Sequence, residues 1–64
     1  MNIDFTQYIG QYVNNVFNIL RENYPSLEMR IIREGEEDRI NTGIKLYYNP
    51  QTWLLTRVVL PTLG

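Results

Sequence analysis

Histidine and cysteine are both absent from this 64-residue chain, and serine occurs once, at Ser26. Without histidine the commonest general base is missing, and without cysteine there is no disulfide, thiol nucleophile or thiolate metal site. Ser26 directly follows Pro25 and reads as a turn residue, not as an activated nucleophile. The chain is therefore expected not to be an enzyme. An excess of either charge is missing too. Six basic residues stand against seven acidic ones, net charge −1. Arg21, Arg30, Arg33, Arg39, Lys45 and Arg57 are scattered and form no phosphate-binding stripe, so no nucleic-acid partner is expected. No apolar run approaches the roughly 18 residues of a membrane span. The start, MNIDFTQYIG, lacks the basic residues and apolar stretch of a signal peptide. The sequence reads as soluble, with no membrane partner and the compartment open, because lack of cysteine suits a reducing cytosol but also other settings.

What is present is apolar side chain, 44% of the residues, including five tyrosines, two phenylalanines and Trp53. At this length one domain, 1–64, is expected, and all its stability must come from packing. Val13, Val16, Phe17, Leu20 and Tyr24 recur at spacings of three and four, the stripe of one helix, which Ile19 widens. Asn23 and Pro25 stop it. Upstream, Phe5 and Ile9 could prolong the stripe from an Asp4 or Thr6 cap, but Gly10 is unfavourable inside a helix and is expected to break it.

Leu27 to Ile32 alternates as a half-buried strand, and Ile44 to Tyr48 alternates again. Asn49-Pro50-Gln51-Thr52 is turn-like, and Trp53 to Leu60 returns as a third strand, antiparallel to the second and ended by Pro61. The fold class is α+β: one helix packed on a small mixed β-sheet, with an exposed loop between the first two main strands. Leu27 or Met29, Ile31, Ile44, Leu46, Trp53, Leu55 and Val58 should meet Val13, Val16, Phe17 and Leu20. Tyr48 and Trp53 are expected in the core, with Tyr47 as the exposed aromatic.

Arg33 to Gly43, REGEEDRINTG, is polar or glycine except for Ile40. A domain this small rarely leaves so much backbone unburied without using it. Glu34, Glu36, Glu37 and Asp38 lack the alternating ligand spacing of a calcium loop, so no metal site is expected. No cofactor is implied. Paired carboxylates for glycosidic chemistry would need a cleft that so small a domain has little volume to form.

Several features in order resemble the potato inhibitor I family of serine protease inhibitors. They are Phe5 and Ile9-Gly10 before the helix, the Val13 stripe, the Asn23-Tyr24-Pro25 exit, the Met29–Ile32 strand and Gly35 at the start of the loop. Ile44-Lys45-Leu46-Tyr47 is similar to the family's Val-Arg-Leu-Phe strand, and Val59-Leu60-Pro61-Thr62-Leu63-Gly64 to its ending. The resemblance implies that the loop binds a serine protease as a substrate would. Asp38, Arg39, Ile40, Asn41 and Thr42 form the binding segment, supported by Lys45, Gly35 and Gly43. Counting forward from Gly35 makes Ile40 the primary specificity residue, before a reactive bond to Asn41, and suits a subtilisin-, chymotrypsin- or elastase-like partner. Counting backward from the strand places the bond near Glu37-Asp38. A trypsin-like partner follows if Arg39 leads. The family braces its loop with two arginines from the next strand; Gly43 and Lys45 stand at those positions here, and Arg39 replaces the bracing threonine. The alternative is a non-inhibitory protein-interaction module with a shortened loop, self-associating as a homodimer through a strand edge.

Overall fold

The three-and-four spacing of Val13, Val16 and Leu20 does what it predicts: all three side chains are completely buried along one face of helix α1, Val13–Asn23. This is seen in a computed structural model of the chain, which describes residues 3–61. The helix packs on strands β1 (Met29–Arg33), β2 (Ile44–Tyr48) and β3 (Leu55–Val59). Sheet order is β1-β2-β3, with β2 parallel to β1 and antiparallel to β3. The architecture is α+β with a mixed sheet, and the long loop joins the parallel pair. The expected ending Thr62, Leu63 and Gly64 lies outside the described residues.

The break at Gly10 has a visible cause. Phe5–Tyr8 forms a separate 3-10 turn, capped by the Asp4 carboxylate, which accepts from the Thr6 N–H. Gly10, at φ +90°, then swings the chain against β3. There the Gly10 N–H donates to Leu55 O at 2.9 Å and the Leu55 N–H to Gln11 O at 2.7 Å. Tyr12 offers α1 no side-chain cap, but the Val13 N–H finds Trp53 O at 2.9 Å. A donor that helix geometry leaves unpaired is thus satisfied by tertiary contact.

Ile44, Leu46 and Leu55 complete the core with the three helical residues, and Phe17, Tyr24, Leu27, Met29, Tyr48 and Val58 pack around it. Three sequence expectations need correction. Ile31 shares the face of its partner Leu46, yet it stays exposed because β1 is an edge strand. Trp53 is neither core nor strand. It sits beyond the 50–52 turn with φ +64°, half exposed, its ring stacked on Tyr48 at 5.0 Å between centroids. Tyr47, expected outside, is only 6% exposed. It occupies the sheet face away from the helix, beside Ile32 in register and under the Arg57 guanidinium, 3.8 Å from the ring centre.

Candidate functional site

Strand register builds the loop's support. Arg30 on β1 and Lys45 on β2 are lateral partners, and the alternation that sends Leu46 to the core sends both to the opposite face. The loop crosses that face. Arg30 Nη1 lies 2.7 Å from Asp38 Oδ2 and Lys45 Nζ lies 3.5 Å from the same oxygen. Arg30 Nη2 donates to Ile40 O at 3.1 Å and Thr42 O at 2.8 Å, while Lys45 Nζ donates to Asp38 O at 3.3 Å. The Ile40 N–H donates back to Asp38 Oδ1 at 3.1 Å. Two cations therefore grip the carbonyls of Asp38, Ile40 and Thr42, every second residue.

Asp38 is the hub, its side chain only 12% exposed. Burial pushes its carboxyl up, but the Ile40 N–H, the Arg30 hydrogen bond and the charges of Arg30 and Lys45 outweigh this and hold it below the usual 3.8. A second cluster pins the near end of the loop. The hydrogen bond from Arg57 and that from Thr56 hold the Glu34 carboxyl below its usual 4.5. In turn the bond to Glu34 raises the Arg57 guanidinium above its ordinary value. Thr56 Oγ1 donates to Glu34 Oε2 at 2.6 Å and to Tyr47 O at 3.2 Å, at the point where β3 slips one residue against β2.

The acidic run is therefore dispersed. Glu34 turns to Arg57, Asp38 to Arg30 and Lys45, and Glu36 and Glu37 are exposed. Among the described residues no three metal-ligating side chains converge, and no helix is long and apolar enough to cross a membrane.

Glu34 and Gly35 (φ +94°) make the turn out of β1, and Gly43 (φ +78°) makes the return. At Gly43 a Cβ would come within 3.1 Å of Glu28 Cγ, so both handedness and space call for glycine. Between them, Glu36 to Asn41 has no turn or bend; the chain bends at Thr42 and Gly43. Asn41 and Thr42 are exposed. Ile40 is 55% exposed and the Arg39 side chain 86%.

Lys45 is joined by a support that the sequence reading did not include, Arg30. The available signal was its place in the Leu27–Ile32 alternation, which puts it on the polar face, but its pairing with Lys45 needs the parallel register. Glu34, Thr56 and Arg57 were missed for the same reason, as they meet only across the folded sheet. The resulting arrangement holds a strip of loop backbone to the sheet at three carbonyls. No protein-family model and no curated protein matches the chain.

Proposed function

We propose that this protein inhibits serine endopeptidases by offering its Asp38–Thr42 segment as a substrate-like strand, in the manner of the potato inhibitor I family that the sequence resembles. One observation carries the reading: three alternate carbonyls of the loop are fastened by Arg30 and Lys45 to the sheet below. A loop ordered before binding loses little conformational entropy in the complex. If its reactive bond is cut, both new ends stay tethered, which favours rejoining over release.

Incubation of the intact chain with subtilisin, chymotrypsin, elastase and trypsin should give tight, reversible inhibition of at least one of them. Rapid cutting between Gly35 and Gly43 with no inhibition would exclude the reading. The edge of β1, and that of β3 past Leu55, favour the second reading, an interaction module that pairs strands with another copy. A stable dimer in solution that inhibits none of the four proteases would point there.

A further inference from the structure

We infer that the reactive bond is Arg39–Ile40, with Arg39 filling the specificity pocket, so that the target is an endopeptidase whose pocket carries an acidic group and accepts arginine or lysine. This refinement rests on the inhibitory reading.

The argument starts from the carbonyl that a serine protease attacks, which must point at the enzyme's oxyanion hole. A carbonyl already bonded inward to the inhibitor's own sheet cannot do so. Ile40 O is held by Arg30 Nη2, and the Ile40 N–H by Asp38 Oδ1. Asp38 O and Thr42 O are held in the same way. In an extended chain the N–H and C=O of one residue point to the same side and alternate along the strand. The inward set 38, 40, 42 therefore leaves 37, 39 and 41 with their backbone groups outward. Among the described residues, none of those three carbonyls accepts a bond from elsewhere in the protein.

The side chains around Asp38 separate as well. Asp38 is directed at the cations beneath, whereas Glu37 and Arg39 lie on one exposed side, close enough to form a 3.5 Å ion pair. Of the three outward residues, Arg39 and Asn41 have bound carbonyls on both sides, and of these two only Arg39 has both neighbours within the turn-free stretch from Glu36 to Asn41. Asn41 borders the bend at Thr42–Gly43, and Glu37 has no residue on its N-terminal side held by the cations. The Arg39–Glu37 pair is solvent-exposed and weak, so Arg39 can exchange Glu37 for a carboxylate in a pocket at little cost.

The test measures inhibition of subtilisin, chymotrypsin, elastase and trypsin by the whole chain and locates the bond cut on long incubation by mass spectrometry. Trypsin inhibition with slow cutting at Arg39–Ile40 is expected. Arg39→Lys should retain inhibition, and Arg39→Ala should weaken it by ~100-fold or more, as for a truncated hot-spot side chain. The Arg39 side chain is exposed, so circular dichroism of both variants should match the parent. Cutting at Ile40–Asn41, or elastase inhibition that survives Arg39→Ala but is lost in Ile40→Gly, would overturn the register while leaving the inhibitory function intact. Failure to inhibit any of the four enzymes would overturn both.

Discussion

Asp38 and Arg30 decide whether the loop is a strand or a loose connector. One guanidinium reaches an Asp38 carboxylate oxygen and two carbonyls at once, a planar fork that an ammonium cannot reproduce. Arg30→Lys should therefore leave the fold intact but speed proteolytic cutting between Gly35 and Gly43 by ~10-fold or more, the scale of one lost charged hydrogen bond. Limited proteolysis followed by mass spectrometry checks this. The carboxylates also set an acid limit. Asp38 and Glu34 are held below 3.8 and 4.5 in the folded protein, so on acidification the unfolded chain binds protons first. Their stabilisation is complete above about pH 5 and is lost as pH falls through and below their usual values. Thermal midpoints should be nearly level from pH 7 to about 5 and drop towards pH 2, with a shallower drop in an Asp38→Asn, Glu34→Gln double variant. An unchanged slope would count against both pairings.

Among the elements, the loop ends and the β2–β3 turn carry the conformational demands. Gly43→Ala forces a side chain into a left-handed position and against Glu28. It should destabilise by ~1–3 kcal/mol in urea denaturation. Trp53 gives the opposite lesson. Its size and its neighbours in sequence suggest a strand and a core site, but the 50–52 turn ends with Trp53 itself at positive φ, leaving the ring on the surface against Tyr48. Trp53→Ala should consequently cost less than Leu46→Ala, although it deletes a far larger side chain. Leu46 is completely buried beneath the helix, and its truncation should cost ~2–5 kcal/mol. Equilibrium denaturation of the two variants gives the order directly.

For the whole molecule, a domain of 64 residues has a stability of roughly 3–10 kcal/mol, so Leu46→Ala alone would use a large share of it. The sheet divides the work. Its inner face supplies the core with α1, and its outer face buries Ile32 and Tyr47 while carrying the cations that hold the loop. Because the parallel pair has no crossover helix, the loop must travel back along the strands, and the outer face is where it does so. Loop order and sheet integrity are thus coupled: variants that loosen the core should also expose the loop to proteases.

Local pattern determined much of this protein. The helix and its stop, the break at Gly10, the antiparallel β2–β3 pair and the polar loop between two apolar strands all follow from spacings of two, three and four, with proline and glycine as punctuation. Burial by alternation worked where a strand was covered, at Ile44, Leu46 and Leu55, and failed where position in the sheet mattered. Ile31 is on an edge, Trp53 on a turn, and Tyr47 on an outer face that other side chains cover. The loop's brace was the least legible feature. Arg30, Asp38 and Lys45 come from three separate segments, and only the parallel register of β1 on β2 brings their charges to one point. Local sequence can specify which face a side chain occupies, but only the tertiary structure decides what it meets there.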